Sequence, residues 1–123
     1  MPLINRKDRD PAKYIVNNPL SSFAESIRYL RAAITFSDID GRTQVVTLTS
    51  SLPDEGKTSL SLSMARMSAM SGTKTLVIDG DFRRRLLTET LGLDPEIGFV
   101  EYLFGKGELD LAIRTDEETG LDV

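Results

Sequence analysis

The stretch VVTLTSSLPDEGKT, residues 45–58, decides the fold, because an apolar run leads through a short polar loop into a helical pattern. Backbone N–H groups of such a loop, with the positive end of the following helix, make a concave anion site that a lysine completes. Against the phosphate-loop pattern G-x-x-x-x-G-K-[ST], the second half matches and Ser51 stands at the first glycine. The sequence predicts nucleotide binding here, with a turn and a helix start capped by Thr58 as the alternative.

The phosphate-loop pattern assigns specific roles to two residues of this segment. Lys57 would reach the terminal phosphates, and the Thr58 hydroxyl would hold Mg²⁺. The predicted nucleotide-binding residues are Ser51, Pro53, Asp54, Glu55, Gly56, Lys57, Thr58 and Ser59.

Two acidic residues follow a second apolar run. Residues 74–78 read as a buried strand, and Asp79 and Asp81 come directly after it. Side chains of an extended segment repeat every second residue, so both acids are expected on one side, at the edge of the sheet where ligands bind. Two adjacent carboxylates repel unless a cation lies between them, and Mg²⁺ takes oxygen ligands. The pair therefore favours a metal-linked role, with capping of the next helix as the alternative.

Composition narrows the possible functions. A length of 123 residues is typical of one domain, and a net charge of −4 argues against nucleic acid as a partner. The absence of cysteine and histidine excludes thiolate or zinc chemistry and Ser-His or Cys-His catalysis within this chain. No apolar run approaches the roughly 20 residues that span a bilayer, so the chain itself is expected to be cytosolic.

The remaining sequence predicts alternating helices and strands. Residues 1–20 read as an N-terminal arm or linker with at most one short turn, docked through residues 14–16, and residues 21–123 as the N-terminal part of a phosphate-loop domain. Helices are predicted from Ser22, with Ser22 and Glu25 as a capping box, to Phe36 and from Thr58 to Ser71, with the methionines as core filler. Strands are predicted at 44–49 and 74–78, short helices at 84–91 and 98–104, a further short element at 109–113, and the opening of another strand at Gly120.

This order predicts an α/β fold, a P-loop NTPase-like parallel sheet flanked by helices in an incomplete doubly wound domain. The sheet is small for its helices, so we expect the chain to be a piece of a longer protein.

Three motifs together resemble the cytoplasmic domain of the bacterial tyrosine kinases, which govern the chain length of capsular polysaccharide and exopolysaccharide. Glu25, Arg28 and Arg31 fit that family's E-x-x-R-x-x-R helix. Residues 50–58 are similar to its loop S-x-x-P-G-E-G-K-[ST], and residues 79–83 to its second acidic motif D-x-D-x-R. The resemblance runs from about residue 19 to the last residue.

The resemblance implies an ATP-dependent protein-tyrosine kinase or autokinase with ATP and Mg²⁺ as cofactors. Lys57, Asp79 and Asp81 would be catalytic, and Thr58 and Asp79 would serve Mg²⁺. Glu25, Arg28 and Arg31 would support ring-like self-association, although Glu25 and Arg28 could instead form an intrahelical ion pair. The implied partners are tyrosine-containing proteins and a transmembrane polysaccharide co-polymerase on the same or a separate chain, at the cytoplasmic face of the plasma membrane.

The chain also departs from the family pattern. Asp54 stands where the family usually has glycine, and the downstream Walker B strand and tyrosine cluster are not found; the tyrosines are Tyr14, Tyr29 and Tyr102. One alternative is therefore a non-catalytic nucleotide-binding module that oligomerises. Another is a partition or cell-division ATPase, against which Leu52 counts, because that class has a signature lysine at this position.

Overall fold

The computed structural model of the protein describes residues 10–37, 44–93 and 97–123. They fall into two compact units, Met1–Met67 and Ser68–Val123. The helices are α1 (Pro11–Asn17), α2 (Ser22–Ser37), α3 (Lys57–Met70), α4 (Leu86–Thr90), α5 (Phe99–Leu103) and α6 (Leu109–Ala112), and the strands are β1 (Thr115–Asp116) and β2 (Leu121–Asp122).

The first unit is built around the apolar faces of α1, α2 and α3. Its core is formed by buried residues from all three helices, which are Ile15, Phe23, Ala24, Ile27, Met64 and Met67. Apolar residues at helical spacing fall on one stripe of each helix, and burying that stripe stabilises the unit. The predicted helices of α2 and α3 are confirmed, as is the role of Met64 and Met67 as core filler.

Helix α1 lies where the sequence predicted at most one short turn, and that prediction is wrong. Asp10 accepts a hydrogen bond from the Ala12 N–H at 3.0 Å, and Pro11 occupies the first helical position. Both are helix-start signals. Ala12 and Ile15 are fully buried, and the Tyr14 ring meets Phe23 edge-on at 6.3 Å, so this segment docks through its apolar residues as expected. The boundary predicted at residue 20 stays a prediction, and residues 1–9 of the arm lie outside the described residues.

The start of α2 is displaced by one residue from the predicted cap. The Ser21 hydroxyl, not that of Ser22, accepts the hydrogen bond from the Ala24 N–H, at 3.2 Å. The capping box predicted for Ser22 and Glu25 is therefore wrong. An N-cap oxygen reaches only the second or third helical N–H, so a shift of one residue removes Glu25 from the box.

Helix α3 begins at Lys57 and is followed by Gly72, whose φ of +80° permits the left-handed turn that ends a helix. Two of its polar residues are buried. Ser63 donates to the Ser59 carbonyl at 2.7 Å, and the Arg66 guanidinium donates to the Ala12 carbonyl of α1 at 3.1 Å. Arg66 is only 5% exposed, so this contact joins α1 to α3 inside the first unit.

The two predicted buried strands differ most from the structure. Residues 44–50 form no strand, and Val45 is 84% exposed. In the second unit, residues 74–78 contribute one parallel bridge, from Leu76 to Asp122, while β1 and β2 form an antiparallel hairpin that pairs Thr115 with Asp122. A strand is defined by its neighbour's hydrogen bonds, and among the described residues only β2 supplies them to this segment. The strand predicted from Gly120 is confirmed as β2.

The short helices agree with the sequence to within a few residues. Helices α4, α5 and α6 fall inside the segments predicted at 84–91, 98–104 and 109–113. The described chain is thus helix-rich with a small sheet.

Candidate functional site

Hydrogen bonds between its own side chains and backbone hold the predicted phosphate loop in shape. Lys57 Nζ donates to Ser50 Oγ at 2.8 Å, and Ser50 Oγ donates to the Leu52 carbonyl at 2.9 Å. The Leu52 N–H donates to Glu55 Oε2 at 3.1 Å. Lys57 is therefore held back over the loop, where its ammonium group is available to an anion.

The backbone of the loop turns through two left-handed residues. Gly56 has φ of +83° and Asp54 has φ of +61°. Glycine adopts this region freely, whereas an L-residue with a side chain does so at a cost. Asp54 thus takes the kind of conformation for which the family's glycine is suited.

The start of α3 faces this loop. The N–H groups of Lys57, Thr58 and Ser59 have no partner within the helix, because the first turn of any α-helix leaves its donors unpaired. Residues 51–56 are exposed, and Lys57 to Ser59 are half-buried. A 14-residue helix presents its positive end here, and an anion such as a phosphate group fits that environment.

Asp79 is engaged by four donors. Its Oδ1 accepts from the Asp81 N–H at 3.0 Å, and its Oδ2 accepts from the Leu87 N–H at 3.2 Å and the Thr88 N–H at 3.3 Å. The Thr88 hydroxyl donates to the same Oδ2 at 3.2 Å. The alternative that the sequence left open for this acid, helix capping, is therefore present in the structure.

Asp81 folds the segment that follows it. Its Oδ1 accepts from the N–H groups of Arg83 at 3.2 Å and Arg84 at 3.1 Å, and its carbonyl accepts from the Arg85 N–H at 2.9 Å. The catalytic and metal roles of the two acids stay predictions. In residues 10–37, 44–93 and 97–123, no group of three His, Cys, Asp or Glu side chains is placed to hold a metal. Magnesium held by the Thr58 hydroxyl, phosphate oxygens and waters fits the loop without such a cluster.

The second unit also contains a cavity of about 500 Å³ that the sequence did not reveal. Asp79, Asp81, Phe82, Phe99 and Tyr102 are among its lining residues, and the rings of Phe82 and Phe99 stack with centroids 6.4 Å apart. These residues are distant in the chain, so no local pattern could have brought them together.

The residues predicted for self-association lie on α2. Glu25 and Arg28 are exposed and Arg31 is half-buried. Arg28 donates to the Pro19 carbonyl and, among the described residues, makes no ion pair with Glu25. The alternative of an intrahelical pair is therefore not realised, and the Glu25 carboxylate faces solvent. The role in self-association stays a prediction.

No family model matches the sequence. Individual relatives do match. The chain is 34% identical over 112 residues to the succinoglycan biosynthesis transport protein ExoP of Rhizobium meliloti (strain 1021), and 36% identical over 108 residues to tyrosine-protein kinase etk of Escherichia coli (strain K12). It is 31% identical over 108 residues to tyrosine-protein kinase YwqD of Bacillus subtilis (strain 168). These alignments cover 91%, 88% and 88% of the chain.

The fold is shared with solved structures. The kinase domain of Escherichia coli tyrosine kinase ETK superposes with a TM-score of 0.83 at 35% identity, covering 89% of this chain and 43% of that chain. The chimerical protein CapA2B2 superposes with a TM-score of 0.78 at 27% identity, covering 91% of this chain and 49% of that chain.

A phosphate loop that opens a helix in an α/β fold defines the P-loop class, and the predicted fold class is confirmed. Over the part of the kinase domain that it spans, the chain belongs to the family of the bacterial tyrosine kinases. It spans 14% of ExoP, 15% of etk and 46% of YwqD. Among the described residues, no helix is long and apolar enough to cross a membrane.

Proposed function

We propose that the chain is part of an ATP-dependent protein-tyrosine kinase or autokinase that regulates the biosynthesis and export of exopolysaccharide or capsular polysaccharide. One observation carries the proposal: Lys57, at the first residue of α3, is held by Ser50 over a loop of exposed residues. The relatives named tyrosine-protein kinase support the choice of reaction.

In this reaction the bond between the γ-phosphorus and the bridging oxygen of ATP breaks, and a bond forms to a tyrosine oxygen. The products are phosphotyrosine and ADP. Catalysis of this kind is mainly positioning and charge stabilisation. Residues 51–59 would hold the phosphates and Lys57 would neutralise developing negative charge. The Thr58 hydroxyl would hold Mg²⁺, which when bound neutralises the phosphates further, and an acid of the Asp79 and Asp81 pair would accept the tyrosine proton.

Transfer of radiolabelled phosphate from ATP to a tyrosine peptide, and to the protein itself, tests the proposal. The Lys57→Ala variant should lose transfer at least tenfold, whereas the matched Lys13→Ala variant, which removes an exposed lysine from α1, should keep it. Equal transfer by Lys57→Ala and wild type would refute the role of the loop. Release of free phosphate without labelled tyrosine would favour the partition-type ATPase instead.

A non-catalytic nucleotide-binding module that self-associates is the second candidate, and Asp54 favours it. This residue places a carboxylate in the loop that would receive phosphates, and like charges oppose binding. Binding of Mg²⁺-ATP in calorimetry with no labelled tyrosine after prolonged incubation would establish this candidate over the kinase.

The proposal includes self-association through Glu25, Arg28 and Arg31 and a transmembrane co-polymerase partner at the cytoplasmic face of the plasma membrane. The exposed carboxylate of Glu25 supports the first of these, because an acid on a helix surface with no ion pair in the described part of the chain is available to a cation of a second copy. The double variant Arg28→Ala with Arg31→Ala should lower the sedimentation-derived mass, while Lys13→Ala with Lys74→Ala should not. An unchanged mass in the arginine variant would exclude this face.

A further inference from the structure

Helix α2 carries apolar side chains on the side that faces away from the core. Its core side holds Phe23, Ile27 and Ile34. Phe36 comes nine residues after Ile27, and nine steps of about 100° place it on the opposite side of the helix. Phe36 is 83% exposed and Tyr29 is 71% exposed. A surface helix usually presents polar residues on this side, so the second apolar side indicates a partner.

The residues of this outer side follow the spacing of a seam between two helices. Steps of four, three and four residues separate the members of the outer seam, which are Glu25, Tyr29, Ala32 and Phe36. This alternation is the one with which two α-helices pack along each other. Helix α2 has 16 residues, which is about 24 Å of length along which such packing can run. The partner that this face fits is therefore another helix.

The charges beside the outer seam complement those of a second copy of α2. Glu25 and Arg28 are both exposed. A parallel pairing would set Glu25 against Glu25 of the other copy, and like charges oppose association. In an antiparallel pairing centred at the level of Ile27, Glu25 of one copy faces Tyr29 of the other and lies next to its Arg28. A two-fold axis repeats this contact, so each copy supplies one acid and one arginine.

The same register covers apolar side chains at both ends of α2. Phe36 of one copy reaches the start of α2 in the other, where Leu20 is 93% exposed. The second antiparallel register that matches seam to seam sets Glu25 against Phe36 instead, so the charges favour the first. Arg31 comes four residues after Ile27 and is half-buried, so it lies toward the core side and outside this contact.

We infer that α2 is the centre of a two-fold dimer, in which the outer seams of two copies pack antiparallel about the level of Ile27. The inference rests on the self-association proposed above and specifies its geometry. One face meets the same face of the other copy, so the assembly closes at two copies, whereas a contact between two different faces builds a ring or a filament.

Distances between two labelled copies test the antiparallel arrangement. The chain has no cysteine, so Ser22→Cys and Ser37→Cys each provide a single attachment point for a spin label. At about 1.5 Å per residue from the level of Ile27, the two labels are about 15 Å apart along the helix axis in Ser22→Cys and about 30 Å apart in Ser37→Cys. Pulsed electron paramagnetic resonance on the full chain should therefore give a longer distance for Ser37→Cys, by more than about 10 Å. Equal distances would indicate a parallel pair and overturn the inference.

Exchanging the charges tests the two-fold contact. Glu25→Arg or Arg28→Glu alone places like charges at both contacts, so each variant should dimerise at least tenfold more weakly than wild type. An equimolar mixture of the two variants places opposite charges at both contacts, so heterodimers should form again in analytical ultracentrifugation. If both variants keep the circular dichroism spectrum of wild type and their mixture does not associate, the two-fold pair is wrong.

The apolar part of the outer seam is tested by Phe36→Ser, which should weaken dimerisation at least tenfold. Phe104→Ser removes the same side chain from a position in the second unit that is 77% exposed, and it should leave the dimer unchanged. Equal effects of these two variants would remove the seam from the contact. A monomeric wild type would refute both the proposed self-association and this dimer. Assembly beyond two copies would keep the self-association and overturn the two-fold pair.

Discussion

Replacing Asp54 separates the two ways in which this residue affects the phosphate loop. Its side chain adds a negative charge to a site for anions, and its backbone occupies the left-handed region at φ +61°. Asp54→Asn removes the charge and keeps a residue type that tolerates this conformation. Asp54→Gly removes the charge and the backbone cost together.

The size of the charge effect follows from the exposure of the loop. Asp54 is exposed, so the dielectric constant of water applies, and a phosphate charge that bound at an assumed distance of about 6 Å from its carboxylate would be opposed by roughly 0.7 kcal/mol. Two such charges give roughly 1.4 kcal/mol, or about tenfold in Kd. The left-handed backbone costs an L-residue about 1–2 kcal/mol, which glycine avoids, whereas the more flexible unfolded chain of glycine costs about 0.5–1 kcal/mol. We therefore expect Asp54→Gly to raise the free energy of unfolding by about 1.5 kcal/mol at most.

Titration calorimetry with Mg²⁺-ATP at low ionic strength should show about tenfold tighter binding for both variants. The gain should shrink in about 1 M salt, where the Debye length is about 3 Å. Asp110→Asn removes the same charge from α6 and serves as the control for net charge. If Asp54→Asn and Asp110→Asn both bind ATP with the Kd of wild type at low salt, the electrostatic reasoning fails.

Three further predictions concern the second unit. Arg85→Gly should raise the free energy of unfolding by about 1 kcal/mol in urea denaturation, because glycine adopts the left-handed conformation of Arg85 without strain. Arg83 has no positive φ, so Arg83→Gly should give no such gain, and equal effects of the two variants would contradict this reason. Thr88→Val should lower the stability by about 0.5–1.5 kcal/mol through loss of the hydroxyl donor to Asp79, and an unchanged urea midpoint would argue against that bond. Hydrogen bonds from its own N–H and that of Gly98 hold the pKa of Glu101 below its ordinary value of 4.5, so its contribution is present above about pH 4.5 and is lost as the pH falls through the lowered pKa. The protection factors of the α5 amides should fall over that acidic range in wild type and not in Glu101→Gln, and identical pH profiles of protection would exclude Glu101 as the cause.

The helices could be predicted from the sequence because their determinants are local. The apolar spacing of Phe23 and Ile27 and the position of Gly72 were sufficient for α2 and α3. The strands could not be predicted in the same way, because Val45 and Leu76 become strand residues only if a neighbouring segment supplies hydrogen bonds. A run of apolar residues carries no information about whether that neighbour is present.

The candidate site likewise has a part that local sequence indicates and a part that it does not. The loop at Lys57 is a contiguous motif, so a pattern of residue types indicates it, and its role in binding phosphate stays a prediction. The sequence left open that the acids cap the next helix, but no pattern of residue types indicates that Arg85, the N-cap residue without a capping side chain, is left-handed. An arginine rarely adopts φ of 48°, and the acceptor that its side chain does not supply comes from Asp79 instead.

The buried contact between Arg66 and Ala12 has a mechanical consequence. Helix α3 begins at Lys57 and also contains Arg66, whose guanidinium donates to the Ala12 carbonyl of α1. Detaching α1 would remove the Ala12 carbonyl that accepts from the Arg66 guanidinium, and a hydrogen bond to a charged group contributes about 1.5–3 kcal/mol. Docking of α1 is therefore coupled through this bond to the helix whose first residue is Lys57, so truncation of α1 would disturb the helix that begins at the predicted phosphate loop.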